Sequence, residues 1–406
     1  MATRYGLSPW IHAIPKTKQP SFPRLKGDHD VPVLIVGGGL TGVCTAYALA
    51  AAGIKATLVE ADRLGWAGSG RASGLVSGEP TASYSELEQR HGRRAARAMF
   101  EASRRAVLDL AATIRRLRIQ SRWTPAPAVR YVPRFDQAAA MQREATLRKG
   151  AGLDAAWRRP VELSRELALA SEGGARLGTW GWTDPYRLLL GFAAAAARRG
   201  AALHERTTVR RIRNGRQAVE ITTDTGRITA GTVIVCTGTP GPLFRSLARH
   251  VTPVEDYAVL TAPLPASMRK GLGRTRAVLS RAAQPGERIA FADDNRLVLT
   301  GGAQKPTPAR GREKVLVQRT GQLMYELLTT WPVIAGLQPV YGWDVPSATT
   351  ADGVMFAGAH RNFPRHLFAW ATGHDPAQAF LASRVLLRHV LDTPEKSDQY
   401  FAFTRG

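Results

Sequence analysis

The 406-residue chain has 44% hydrophobic and 22% charged residues, a balance that excludes a disordered polymer and can fill the cores of two or three domain-sized units. No apolar run approaches the roughly 20 residues of a membrane helix, and the two cysteines, Cys44 and Cys236, have neither zinc spacing nor a disulfide framework. The net charge of +24 comes mainly from arginine, with only nine lysines. Those arginines are scattered over helix faces rather than interleaved with aromatics, so no nucleic-acid partner is expected, while the charge suits attraction of anionic substrates or partners; the cysteine spacing gives no metal expectation.

Residues 1–29 read as a proline-containing arm that packs Trp10 and Phe22 on the body. The arm has no apolar core of signal-peptide length, which gives a cytoplasmic expectation. The apolar run Val31–Val36 then leads into Gly37-Gly38-Gly39-Leu40-Thr41-Gly42, an alanine-rich helical pattern to about Ala52, and a second strand stopping at Glu60. Strand, glycine turn, helix and strand with a terminal acid form a dinucleotide-binding pattern. Gly37 serves the turn, Gly39 admits a pyrophosphate, and Gly42 lets helix and strand pack. The helix N-terminus at Leu40 and Thr41 faces the phosphates, and Glu60 faces the ribose hydroxyls.

Ala61 and Asp62 follow, then Gly65-Trp66-Ala67-Gly68-Ser69-Gly70-Arg71-Ala72-Ser73-Gly74. Four glycines in ten residues suit a loop running beside a flat ligand better than a helix interior. This stretch resembles the Ser-Gly-Arg-Asn-Gly-Gly element of the FAD-dependent amine oxidoreductases of the D-amino-acid oxidase, glycine oxidase and sarcosine oxidase type, nearest the γ-glutamylputrescine-oxidase-like branch. The resemblance implies that Ser69, Gly70, Arg71, Ala72, Ser73 and Gly74 wrap the pyrophosphate and flavin. Ala72-Ser73 departs from the family's Asn-Gly. With no His or Cys in the loop and no cysteine after Cys236, the resemblance implies non-covalent FAD.

Ser85 to about Arg118 is helical by periodicity, with a break at Gly92, and Ser103 fills the one turn of the stripe where an apolar residue is missing. Trp123–Pro133 reads as loop plus strand, and 135–170 as two helices. Thr183-Asp184-Pro185 opens a capped helix to Arg199. Strands are expected at 207–213, 217–223, 227–230 and 231–238. By resemblance this is the second pass of the FAD domain, with contacts at Val209, Thr237 and Gly238. Residues 251–305 alternate as strands, with a turn at 293–295; by resemblance they form the substrate-domain sheet over the flavin, and 312–330 reads as a helix returning to the FAD domain. In the last third, Thr372-Gly373-His374-Asp375-Pro376 opens a helix running to Leu391. By resemblance, Gly358 and Thr372 to His374 make the third FAD contact, with Asp375 in place of the family's second glycine. That carboxylate opposes negative charge on the flavin unless it points to solvent or caps the helix.

The implied fold is α/β: a Rossmann-like FAD-binding domain (30–84, 180–250, 335–395) with a discontinuous α+β substrate domain on a mainly antiparallel sheet (85–179, 251–334), and a tail at 396–406. The implied function is oxidation of the C–N bond of an amine or amino acid by hydride transfer to flavin N5, with oxygen or a carrier as electron acceptor. His374 is a candidate for lining the flavin, or a backbone contact with its ring turned away. Arg71 is a candidate for neutralising pyrophosphate or fixing a substrate carboxylate, or forms a structural ion pair. Tyr257 and Arg288 are candidates for a substrate carboxylate. The same fold also suits a 2-hydroxy-acid dehydrogenase, with His374 as base, or a non-catalytic FAD-binding protein.

Overall fold

A computed structural model describes residues 2–284 and 286–405. Its centre is a sheet of mainly parallel strands in the order Phe356–His360, Phe363–Trp370, Arg227–Gly238, His29–Val36, Ala56–Val59, Ala202–His204, with the meander Val209–Asn214 and Val219–Thr223 joined to the long third strand. Leu34 and Ile35 are fully buried between parallel neighbours on both sides, paired with Thr57 and Leu58 and with Val233 and Ile234. This explains the unbroken apolar run. The helix Leu40–Ala51 is buried on nearly every side, because the helices Pro185–Arg198 and Pro376–Leu391 pack against it. Its small alanine side chains permit that close approach.

A second, mixed sheet of ten strands lies against this unit. In order it runs Arg4–Tyr5, Pro339–Thr349, Thr252–Thr261, Leu297–Gln304, Arg288–Phe291, Val278–Arg281, Thr124–Tyr131, Gly174–Trp182, Leu75–Val76, with Ala155–Arg158 beside Gly174–Trp182. The helix Arg312–Thr330 covers its outer face, burying Leu316, Leu323 and Leu327 against Tyr257, Val259 and Leu299.

Several boundaries differ from expectation. The helix Arg93–Leu117 buries Ala96, Met99, Phe100, Val107, Leu110 and Ile114 in the same core as the helix Leu40–Ala51, so part of 85–179 packs with the nucleotide unit. Conversely, Pro339–Thr349 crosses into the second sheet and pairs with Thr252–Thr261 along its length. Gly174–Trp182 and Ala155–Arg158 are strands where none was expected. The arm packs Trp10 and Phe22 on the body as expected, and beyond that expectation Arg4–Tyr5 pairs in parallel with Tyr341 and Gly342. The tail is anchored as well: Asp398 accepts from Arg388 at 2.8 and 2.5 Å, and Arg405 donates to Asp352. No helix of the described residues is long and apolar enough to cross a membrane.

Around Phe403 the core holds His250, His360 and His366 among Phe356, Phe363, Phe368 and Trp370, with His389 beside Gly358. Burial lowers the pKa of all four histidines from the ordinary 6.5. The folded state therefore binds fewer protons than the unfolded chain, and stability falls as pH drops through about 6.5 toward the depressed values. Melting temperature should hold steady above pH 7 and decline below about 6.5. His250→Phe should shallow that decline; an unchanged slope would contradict the assignment.

Candidate active site

The glycine turn sits where the strand His29–Val36 ends. Gly37 has φ +110°, and a Cβ there would meet the Cys236 carbonyl oxygen at 2.6 Å, so only glycine fits between the two central strands. A Cβ on Gly42 would stand 1.9 Å from the Gly37 oxygen, which makes Gly42 the residue that lets the helix close on the turn. Glu60 accepts from the amides of Gly38 (2.6 Å) and Asp62 (2.9 Å). Burial pushes its pKa up, against the pull of those amides. Ser69 Oγ accepts from the Leu40 amide at 2.9 Å, and Thr41 Oγ1 lies 3.3 Å from Thr372 Oγ1. The two helices that begin at Leu40 and Pro376 therefore start side by side.

A cavity of about 400 Å3 runs from this turn. Gly37, Gly39, Leu40, Thr41, Glu60, Ala61, Ser69, Val209, Thr237, Gly238, Thr372 and Gly373 all line it. A second cavity of about 240 Å3 shares Ser347, Ala348, Ala371, Thr372 and Gly373 with the first and continues to Ser73, His374 and Arg288. His374 Nε2 lies 2.7 Å from Asp256 Oδ2. Asp375 caps the helix Pro376–Leu391 by accepting from the Ala377 amide (2.9 Å), and its other oxygen accepts from the Ser77 amide (2.9 Å). Burial raises its pKa, while Arg288 and those amides oppose the rise. Of the two arrangements that would blunt its charge, the structure has the cap.

Other expected residues lie elsewhere. Arg71 turns away from both cavities. Its guanidinium pairs with the Asp344 carboxylate and donates Nε to the Asp344 carbonyl at 2.9 Å, so its charge is already neutralised. Tyr257 is buried on the opposite face of its strand, bonded to Glu255 (2.9 Å) and Gln304 (2.9 Å). Alternation along Thr252–Thr261 gives the cavity Val254 and Asp256 instead. Gly42, Asp62, Gly70, Ala72 and Gly74 support the walls without lining either cavity, and Gly358 packs on His389.

Residues not expected at the site include Asp256, Ser347, Glu79 and Gln378. Glu79 is held by Arg148 (2.6 Å) and Arg130 (3.2 Å), both buried. Gln378 donates to Ser103 Oγ at 3.0 Å. The gap in the helix stripe at Ser103 was the one signal of that contact.

The loop from Gly70 to Gly74 is gripped through its carbonyls. Ser8 Oγ donates to that of Gly70 (2.5 Å), Trp343 Nε1 to that of Arg71 (2.7 Å) and Trp10 Nε1 to that of Ala72 (2.8 Å). Trp182 Nε1 donates to the Ser73 carbonyl (3.0 Å), and the Thr183 amide to that of Gly74 (2.9 Å).

A dinucleotide cleft that opens into a cavity roofed by a separate sheet defines a flavin-dependent oxidoreductase. The model of the FAD dependent oxidoreductase family, DAO, matches residues 32–383, and the chain belongs to that family. It is 31% identical over 276 residues to a probable oxidoreductase, OrdL, of Rhizobium meliloti, covering 63% of this chain and 60% of that protein. It is 26% identical over 404 residues to gamma-glutamylputrescine oxidoreductase of Escherichia coli, covering 96% and 90%. The chain spans 43% and 60% of the length of two of the curated relatives it matches. Glycine oxidase from Geobacillus kaustophilus superposes with a TM-score of 0.77 at 22% identity, covering 93% of this chain and 99% of that one.

The residues present fit FAD. The tight glycine turn and helix N-terminus offer amides to a pyrophosphate, Glu60 keeps lone pairs for ribose hydroxyls, and the slot continues to the Thr372–His374 loop for a flat ring. Removing the Trp10 indole donor should loosen the 70–74 loop. One buried hydrogen bond is worth about 0.5–1.5 kcal/mol net, so Trp10→Phe should weaken FAD binding roughly 2- to 10-fold, read by quenching of flavin fluorescence. Unchanged affinity would show that the grip does not shape the site.

Proposed function

We propose that this chain oxidises the C–N bond of an amine or amino acid, with FAD held non-covalently. The observation that carries this reading is the meeting, in one cavity, of Ser73, the Thr372–His374 loop and the sheet residues Asp256 and Arg288. When bound, FAD supplies the hydride acceptor at its N5. The protein's part is to hold a neutral amine with its α-C–H directed at that ring. Arg288, on the sheet beside Trp180 at 5.3 Å, is placed to hold a carboxylate across the cavity. His374, oriented by Asp256, can take or hold a proton at the substrate heteroatom. Met355 and Phe401 on the wall limit water. Both cysteines are buried, and burial pushes the Cys236 thiol up to about 12, which agrees with a flavin that is not tethered. The names of two proteins to which the chain is similar, gamma-glutamylputrescine oxidoreductase and glycine oxidase, support amines and amino acids as the substrate class.

One feature favours a second reading. The 2.7 Å His374–Asp256 pair is what removal of an O–H proton from a 2-hydroxy acid would use. Anaerobic addition of amines, amino acids and 2-hydroxy acids to the yellow protein separates the two. Bleaching by an amine or amino acid supports the proposal, bleaching by hydroxy acids alone supports the second reading, and bleaching by none contradicts both. Reoxidation by air compared with a dye acceptor then distinguishes oxygen from a carrier. For a substrate bearing a carboxylate, Arg288→Met should raise KM about 10- to 100-fold, the range of a charge-assisted bond. An uncharged amine should lose much less, and equal losses would remove Arg288 from substrate binding.

A further inference from the structure

A third cavity, of about 530 Å3, lies beneath the N-terminal arm and shares no lining residue with the two already described. Four guanidinium-bearing side chains reach it: Arg4, Arg122, Arg187 and Arg296. Two carboxylates oppose them, and both are engaged. Asp184 accepts from the amides of Tyr186 (3.1 Å) and Arg187 (2.9 Å) as the cap of the helix Pro185–Arg198, and Asp294 pairs with Arg296 at 2.9 Å. Arg187 Nε stands 3.3 Å from Asp184 Oδ2 but is buried and makes no hydrogen bond among the described residues. The described lining thus holds four guanidinium groups and two carboxylates.

The remaining wall is apolar. Trp10 and Trp182 stand with ring centroids 5.3 Å apart and both contribute to the lining, with Leu260 beside them. A cavity of this size, lined by both guanidinium groups and aromatic rings, suits a small organic anion with a flat apolar body. The same two indoles hold the Ala72 and Ser73 carbonyls, so an occupant would rest against the donors that grip the 70–74 loop.

We propose that this cavity is a second ligand site, for an aromatic carboxylate, one tryptophan layer behind that loop. The proposal does not rest on the reaction assigned above. It is tested by calorimetric titration of the FAD-bound protein with 1-naphthoate, with tryptophan emission followed in parallel. Expected are one saturable event that quenches tryptophan, persists in Arg288→Gln and weakens with added salt. The neutral analogue 1-naphthalenemethanol should bind at least about tenfold more weakly, as should naphthoate to the double variant Arg4→Gln/Arg296→Gln, its fold checked by circular dichroism. Absence of saturable binding, equal affinity for the neutral analogue, or loss of binding in Arg288→Gln would overturn the proposal. The comparison with the neutral analogue uses the unaltered protein and stands even if the double variant fails to fold.

Discussion

Five consecutive carbonyls, from Gly70 to Gly74, each receive a hydrogen bond from a different group, and the site depends on that grip. Three of the donors are tryptophan indoles, which donate but cannot accept, so each can only pull a carbonyl toward itself. The donors come from the arm, from the strand Gly174–Trp182 and the residue after it, and from the strand Pro339–Thr349. One short glycine-rich loop therefore ties together the nucleotide unit, the second sheet and the first residues of the chain. Each buried carbonyl left unpaired would cost about 1–3 kcal/mol, so the loop has little freedom to leave its path.

The electrostatics follow a similar rule. In a chain of net charge +24, the carboxylates near the site are committed before any ligand arrives: Glu60 to two amides, Asp375 to two amides, Glu79 to two arginines, Asp256 to His374. Asp375 is the instructive one. A carboxylate at the start of a helix would oppose negative charge on a neighbouring ring, yet as a cap it faces the helix dipole and Arg288. Its position combines a structural duty with a softened charge.

Much of the cleft was legible in the sequence because its parts are local. The glycine turn, Glu60, Thr237-Gly238 and Thr372-Gly373-His374 are each fixed by contacts within a few residues of a strand end, and they line one continuous space. What was not legible depends on distant partners. Arg71 read equally as a phosphate or carboxylate ligand or as half of a structural ion pair, and the partner that decides for the ion pair, Asp344, lies 273 residues away. Tyr257 was one position out of phase with the cavity, and only the sheet's packing decides which face of an alternating strand is inward. The strand Gly174–Trp182, GARLGTWGW, has too many glycines for an alternating pattern, and its role is to carry Trp180 and Trp182. The helix Arg93–Leu117 shows its apolar stripe in the sequence but not the unit that the stripe covers.

The most direct measurement is a crystal structure of the protein grown with FAD. The account predicts the pyrophosphate at the Gly37–Gly42 turn, the ribose at Glu60, and the isoalloxazine between the 70–74 loop and the Thr372–His374 loop, with Arg288 and the His374–Asp256 pair across the cavity from the ring. A ring lodged elsewhere, or a cleft that binds no FAD, would contradict it.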